Sequence, residues 1–233
     1  MNSNRDALAG LYPHLGRAAR APQPADTARL DQALLDSIAH KARESIEAKQ
    51  RFFDANGERV LQAAHMLADC YRAGGRLFTM GNGGSSCDAA HIAVEFSHPI
   101  TAGRPALPAQ NLAQDMAMIT AVGNDVGIAH IFERQVLGLV RKGDCVIGVS
   151  TSGNSANLLR GLAAARRVGA RTLALAGGDG GAMAQADTIE LCLTVGSDSI
   201  HRVQETHVAI YHILWDLTHS LLADDRTPQG GDT

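Results

Sequence analysis

Apolar residues recur every three or four positions along residues 28–73, which is the pattern of an amphipathic helix. Leu30, Leu34 and Ile38 illustrate this spacing. The stretch contains no proline and a single glycine, which lies in the sequence ANGER at 55–59. The pattern therefore predicts one long helix, or two helices that meet near this glycine.

Farther along the chain, short apolar runs alternate with helical patterns. The predicted strands are RLFTMG (76–81), ALPAQNL (106–112), DCVIGVS (144–150), RTLALAG (171–177) and TIELCLTV (188–195). The predicted helices cover about 85–96, 114–123, 129–141, 155–168 and 199–222. This alternation predicts an α/β fold, a three-layer doubly wound sheet of about five parallel strands, with N-terminal helices before it.

The two ends of the chain have a different composition from the part between them. Residues 1–27 are rich in alanine, arginine and proline, and predict a flexible N-terminal arm. Residues 224–233 predict a disordered tail. The intervening residues 28–223 are expected to form a single domain that includes the N-terminal helices.

Composition and charge narrow the class of protein. The chain has 233 residues, of which 45% are hydrophobic and 19% charged, with a formal net charge of −3. Lysine and arginine are not clustered as a nucleic-acid-binding surface would require. No apolar run is long enough to span a membrane, and the N-terminus lacks the apolar core of a signal peptide. The four cysteines have no CxxC spacing, which favours reduced thiols and a cytoplasmic location.

Two loops rich in small residues follow the first and third predicted strands. The first, Gly81-Asn82-Gly83-Gly84-Ser85, only partly matches a dinucleotide-binding turn, because Ser86 stands where the third glycine of that pattern would be. The glycines would instead let the backbone approach a ligand closely.

The second loop carries four hydroxyl side chains within six residues, at the point where a strand gives way to a helix. These residues are Ser150, Thr151, Ser152 and Ser155. Such a loop can bind phosphate through its hydroxyls, its amides and the helix N-terminus. The alternative is that Ser152 or Ser155 caps the next helix, which would explain one hydroxyl but not four.

Ionisable side chains occur on two of the predicted helices. His91 and Glu95 are four residues apart on the helix that begins at the first loop. This spacing suits a metal site or an acid–base pair, although it is also common for ordinary surface pairs. The last long helix contains His207 and His219, which we interpret as structural or surface groups.

The motifs together resemble the sugar isomerase (SIS) domain family, and within it the phosphoheptose isomerases. The matching segments are MGNGGSSCDAAHIAVEF, RPALPA, ITAVGND, IFERQV, KGDCVIGVSTSGNSANLL and RVQETHVAIYHIL, within about residues 30–222. The resemblance implies a phosphosugar aldose–ketose isomerase that interconverts sedoheptulose 7-phosphate and glycero-manno-heptose 7-phosphate through an enediol.

The same resemblance assigns roles to individual residues. The implied substrate-binding residues are Asn82, Gly83, Gly84, Ser85, Asp125, Ser150, Thr151, Ser152, Ser155 and Gln204. The implied acid–base pair is Glu95 and His212. Zinc would be held by His91, Glu95, Gln204 and His212, in a homotetramer whose active sites lie at subunit interfaces. Gln204 and His212 are eight residues apart, about 12 Å along a helix, which also favours a site assembled between subunits.

The chain departs from the family pattern at three positions. Pro99, His201 and Gly178 replace an arginine, an aspartate and a longer residue that are frequent in the family. An isomerase for a different phosphosugar is therefore an alternative. A second alternative is a non-catalytic SIS adaptor of the type that binds a replication initiator, but such an adaptor has no evident need for Glu95 and His212.

Overall fold

A computed structural model describes residues 24–224 of the chain, and their side chains from residue 27 to residue 223. Contacts divide the chain into two units at the boundary between Arg43 and Glu44. The predicted arm lies outside the described residues up to residue 23, and the predicted tail lies outside them from residue 225.

The first helix, α1, is a single continuous helix from Pro24 to Arg72. The predicted meeting point of two helices at 55–59 therefore does not exist. Gly57 lowers helix propensity, but one glycine costs only about 1 kcal/mol, which the packing of neighbouring residues can offset. Phe52 and Val60 are buried on either side of it.

The second unit contains a sheet of five parallel strands, as the sequence predicts. The strands are β1 (Leu77–Gly81), β2 (Ala109–Asn111), β3 (Cys145–Ser150), β4 (Arg171–Gly177) and β5 (Leu191–Val195). Their order is β2-β1-β3-β4-β5. The direction of winding changes between β1 and β3, and in sheets of this type ligands bind in the crevice at such a point.

The remaining helices agree with the predicted ones within a few residues, with two exceptions. They are α2 (Gly84–Ser97), α3 (Met116–Asp125), α4 (Ile131–Leu139), α5 (Ala156–Arg167), α6 (Gly181–Gln185) and α7 (Ile200–Asp224). A 3₁₀ turn, Ile128–His130, precedes α4 and replaces the start of the predicted 129–141 helix. The short helix α6 has no counterpart among the predicted elements.

Two hydrophobic clusters cover the two faces of the sheet. One joins the sheet to α2 and α7 through side chains such as Ile92, Ile147 and Ile210. The other joins it to α4 and α5 through side chains such as Phe132 and Leu162. Because successive strand residues point to opposite faces, each buried strand contributes to both clusters. The packing places α2 and α7 side by side on one face.

None of the helices between residues 24 and 224 is both long enough and apolar enough to cross a membrane.

Candidate active site

The loops after β1 and β3 lie next to each other at the carboxyl edge of the sheet. β1 and β3 pair directly, with Gly81 opposite Val149. The side-chain amides of Asn82 and Asn157 bond each other twice, each NH₂ donating to the other's oxygen at 2.9 Å. This reciprocal pair fixes the two loops together. Asn157 is not among the residues predicted from the sequence, although its position in the first turn after the hydroxyl-rich loop is a signal for it.

The first loop depends on glycine at two adjacent positions. Gly83 has φ 53°, a left-handed conformation that is strained for residues with a Cβ, and it immediately precedes α2. A Cβ on Gly84 would collide with the side-chain amide of Gln204. Ser85, one residue later, is 5% exposed. The loop therefore turns tightly and admits Gln204 from α7 against the start of α2.

The second loop holds its hydroxyls by bonds within the loop. The Oγ atoms of Ser150 and Ser155 lie 3.1 Å apart, and the Gly153 amide donates to Ser150 Oγ at 3.2 Å. Ser155 occupies the residue before α5, yet its side chain makes no capping hydrogen bond. Ser152 Oγ accepts from the Asn154 amide at 3.3 Å, which is a local turn rather than a helix cap. Helix capping therefore does not explain these side chains.

A cavity of about 290 Å³ opens between the two loops. It is lined by Asn82, Ile128, Ala129, Ser155, Ala156 and Asn157. The amino ends of α2 and α5 both begin at these loops, so their unpaired amides and partial positive charge favour an anion here. Asp125 is exposed at the end of α3, three residues before Ile128 in this lining.

A second cavity of about 230 Å³ lies on the other side of the hydroxyl-rich loop. Its lining includes Thr151 and Ser152, together with Gly178, Asp179 and Asp198. Gly178 contributes no side chain to this cavity, whereas the family that the sequence resembles frequently has a longer residue at this position. The two loop hydroxyls therefore face a space that is edged by carboxylates.

Three ionisable side chains gather where α2 passes α7. One ligand atom from each of His91, Glu95 and His212 lies within 4.8 Å of the others. His91 Nε2 is 3.0 Å from Glu95 Oε1, and the rings of His91 and His212 meet edge-on with centroids 5.0 Å apart. All three are partly exposed, so a substrate or an ion can reach them. Two imidazoles and one carboxylate form a donor set that suits zinc, with room for a further ligand.

Residues around this cluster hold it from the buried side. The Tyr211 hydroxyl is 2.8 Å from His91 Nδ1, and Trp215 Nε1 donates to the backbone oxygen of Glu95 at 2.8 Å. Burial raises the pKa of the Tyr211 phenol, and the Asp88 and Glu95 carboxylates raise it further. Burial also raises the pKa of Asp88, while the nearby His91 acts in the opposite direction. Tyr211 and Trp215 were not among the predicted residues.

Within one protomer, Gln204 does not lie with His91, Glu95 and His212. Its amide lies against Gly84, seven residues before His91 on α2, which corresponds to about 10 Å of helix rise. His207 and His219, also on α7, are 0% and 1% exposed, as a structural role requires. Burial lowers the pKa of His207 to about 4.

Two of the positions that depart from the family pattern, Pro99 and His201, lie near the ends of the two helices that carry the ionisable cluster. Pro99 follows the end of α2, in a loop that Arg104 fastens to α7. The Arg104 guanidinium lies 4.6 Å from the centre of the Trp215 ring and pairs with Asp216. His201 is exposed in the first turn of α7.

Comparison with known protein families and sequences gives one consistent result. The family model of the SIS domain matches residues 41–177. The phosphoheptose isomerase of Desulfovibrio desulfuricans is 39% identical over 196 residues, which cover 84% of this chain and 92% of that protein. The phosphoheptose isomerase of Geobacter sulfurreducens is 41% identical over 189 residues, covering 81% of this chain and 99% of that one.

Solved structures agree with the sequence comparisons. The phosphoheptose isomerase of Neisseria gonorrhoeae superposes with a TM-score of 0.75 at 38% identity, covering 80% of this chain and 99% of that one. The phosphoheptose isomerase of Francisella tularensis gives a TM-score of 0.76 at 36% identity, covering 80% and 98%.

Proposed function

The chain belongs to the SIS domain family and, within it, to the phosphoheptose isomerases, and from this premise we propose that it interconverts sedoheptulose 7-phosphate and glycero-manno-heptose 7-phosphate through an enediol. The observation that carries the proposal is the grouping of His91, Glu95 and His212 on the two helices beside the linked loops. An aldose–ketose isomerisation needs an acid, a base and stabilisation of a developing oxyanion, and this group contains residue types that can supply them.

The phosphate would bind at the loops after β1 and β3. Ser155 lines the cavity at these loops with its hydroxyl 3.1 Å from that of Ser150, and Ser85 adds another hydroxyl at the start of α2, beside the amides of Gly83 and Gly84. Thr151 and Ser152 line the second cavity, so their hydroxyls would reach the phosphate only after the loop rearranges. Charge for the dianion would come from the amino ends of α2 and α5. Asn82, Asp125 and Gln204 would contact the sugar chain between its phosphate and its reacting end. Fixing the far end in this way positions the reacting carbons.

Glu95 and His212 would carry the proton transfers. One removes the proton from the carbon next to the carbonyl, and the other delivers a proton to the carbonyl oxygen, which gives the enediol. Reversing the two transfers at the neighbouring carbon and oxygen completes the isomerisation. No electron donor or acceptor is required, because one carbon is oxidised as its neighbour is reduced.

The donor set of His91, Glu95 and His212 fits zinc, which prefers imidazole and carboxylate ligands. When bound, zinc would polarise the carbonyl and hydroxyl oxygens of the sugar. Gln204 of the same protomer lies toward the start of α2, so as a fourth ligand it would have to come from a second copy or move.

We further propose that the protein acts in the cytoplasm as a homotetramer whose active sites lie at subunit interfaces. In the first unit, Leu30, Leu34 and Ile38 are 57%, 53% and 65% exposed at successive four-residue steps. In the second unit, Val94 on α2 is 50% exposed and Ile213 on α7 is 37% exposed, next to the ionisable cluster. Exposed apolar surface of this kind is typical of contacts between subunits.

The deciding experiment is an isomerase assay on sedoheptulose 7-phosphate with the metal-stripped protein, before and after zinc is added. We expect turnover that zinc restores. A parallel panel of five-, six- and seven-carbon phosphosugars tests the alternative that Pro99, His201 and Gly178 favour another substrate. Turnover of a shorter sugar alone would replace the seven-carbon assignment. Absence of turnover on every sugar by well-folded protein would contradict the enzymatic proposal and favour a non-catalytic adaptor.

A further inference from the structure

Tyr211 joins the ionisable cluster to the hydrophobic core. Its side chain is 2% exposed and packs in the cluster of apolar residues between α2, α7 and the sheet. Its hydroxyl nevertheless reaches His91 Nδ1 at 2.8 Å, with the two rings edge-on and their centroids 5.2 Å apart. The position therefore combines core packing with a specific hydrogen bond to one imidazole nitrogen.

The other nitrogen of His91 identifies the donor and the acceptor in this bond. Nε2 lies 3.0 Å from Glu95 Oε1, and an ionised carboxylate can only accept. In the neutral ring, Nε2 therefore carries the hydrogen and Nδ1 is bare, so the Tyr211 hydroxyl donates to Nδ1. Both ring nitrogens are engaged, so a half-turn of the imidazole would break both hydrogen bonds.

We propose that Tyr211 is a positioning residue, which holds the His91 ring so that Nε2 faces Glu95 and His212. A phenol suits this task because its oxygen can donate or accept. It donates to Nδ1 of the neutral ring in the metal-free protein. When Nε2 serves as a metal ligand, the imidazole hydrogen resides on Nδ1, and the phenol oxygen accepts from it. This second part rests on the metal site of the proposed function, whereas the first part does not.

The competing explanation is that Tyr211 only fills space in the core. The chain contains a matched control for this, because Tyr71 packs against Phe96 with ring centroids 5.8 Å apart. The Tyr71 hydroxyl is buried and has no hydrogen-bond partner among the described residues. Tyr71→Phe therefore removes a buried hydroxyl without removing a hydrogen bond to the cluster, whereas Tyr211→Phe removes both.

The first measurement is the ¹⁵N spectrum of the histidine side chains in metal-free protein, with His91 assigned by comparison with His91→Gln. In the wild type we expect Nε2 to carry the hydrogen and Nδ1 to resonate as a hydrogen-bonded acceptor. In Tyr211→Phe, Nδ1 should shift toward the position of a free imidazole nitrogen, while Tyr71→Phe should match the wild type. A wild-type spectrum with the hydrogen on Nδ1, or with a free Nδ1, overturns the proposal whether or not Tyr211→Phe folds.

The second measurement is the zinc affinity of the three proteins at one pH, by calorimetric titration of the stripped protein. In Tyr211→Phe the Nδ1 hydrogen would face the core without an acceptor, so we expect an affinity about 10-fold lower or weaker still. Tyr71→Phe should keep the wild-type affinity. If Tyr211→Phe bound zinc as tightly as Tyr71→Phe, the metal-linked part of the proposal would be overturned. A wild type that takes up no zinc would contradict the proposed metal site, and the nitrogen spectrum would still decide the role of Tyr211.

Discussion

The chemistry of individual side chains in this protein depends on what lies within about 5 Å of them. His91 illustrates this, because it meets a carboxylate at one nitrogen and a phenol at the other, with a second imidazole edge-on beside it. His207, on the same helix as His212, donates instead to the backbone oxygen of Ala176 inside the core. Two residues of one type therefore take opposite roles, one accessible to a ligand and the other structural.

The proposed acid–base pair makes a direct prediction. Glu95→Gln and His212→Gln should each lower kcat by about 10²-fold or more, because a positioned acid or base contributes that much. Both variants should still bind the phosphosugar, since the hydroxyl-rich loop is unchanged. Steady-state kinetics and a binding titration with substrate check this. His65→Gln, at an exposed position of α1, serves as the control. Variants that retain wild-type kcat would remove Glu95 or His212 from the mechanism.

The buried His207 predicts a pH dependence of stability. Burial lowers its pKa from 6.5 to about 4, so between these pH values the unfolded chain binds more protons than the folded one. The free energy of unfolding should therefore fall as the pH drops from 6.5 to 4, by up to about 3 kcal/mol from this group. Above 6.5 its contribution should be constant.

Urea unfolding measured across this range, on the wild type and on His207→Gln, tests the assignment to His207. The glutamine amide can donate to the Ala176 oxygen but does not titrate in this range, so the slope with pH should become shallower. His201→Gln, which changes an exposed histidine, should keep the wild-type slope. An unchanged slope in His207→Gln would show that other groups cause the acid sensitivity.

At the scale of elements, apolar periodicity predicts the strands and the longer helices well, because these elements bury one or both faces. Apolar periodicity does not predict the two shortest helical elements, because they span too few residues to show a repeating pattern. Gly181–Gln185 is a short helix whose start is fixed by the Ala182 amide, which donates to the side chain of Asn154. The turn Ile128–His130 follows Gly127, whose φ of 106° ends the preceding helix. Both depend on neighbours that the sequence pattern does not reveal.

The continuous helix α1 gives a prediction at this scale. Gly57 lies in its interior, and a Cβ there would have no atom within 4 Å. Gly57→Ala should therefore raise the free energy of unfolding by about 0.5–1 kcal/mol, because alanine loses less backbone entropy in a helix. Chemical denaturation measures the change. Gly81→Ala, whose Cβ would collide with the backbone oxygen of Ser85, should be destabilising. A loss of stability in Gly57→Ala would indicate that another chain occupies the space beside α1.

At the scale of the whole molecule, the exposed apolar residues of α1 bear on the proposed homotetramer. Those of the first unit, including Leu34 and Ile38, are exposed, and an isolated helix with this surface is only marginally stable in water. The curated relatives align with 78–84% of this chain, so the region in common does not extend over all of it. The homotetramer proposed above would cover these side chains.

Placing a charge on this surface tests the assembly. Leu34→Glu and Ile38→Glu should lower the molecular mass measured by light scattering, and should reduce activity if the sites form between subunits. Ala33→Glu adds the same charge on a different side of the helix, at an exposed position, and should leave the mass unchanged. A wild-type protein that is monomeric and fully active would contradict the tetramer.

The sequence by itself determined the parallel α/β architecture and the position of the two loops. Strand and helix periods, and the glycines and hydroxyls that interrupt them, are local properties that can be read along the chain. The same is true of the family resemblance, which the comparisons confirm. Only the tertiary structure decided which distant side chains meet. The parallel packing of α2 and α7 brings His212 to His91 and Glu95. The same packing leaves Gln204 at Gly84 and places the Tyr211 hydroxyl on the His91 imidazole. The register between the two helices is set by the core that they share, and neither helix alone determines it.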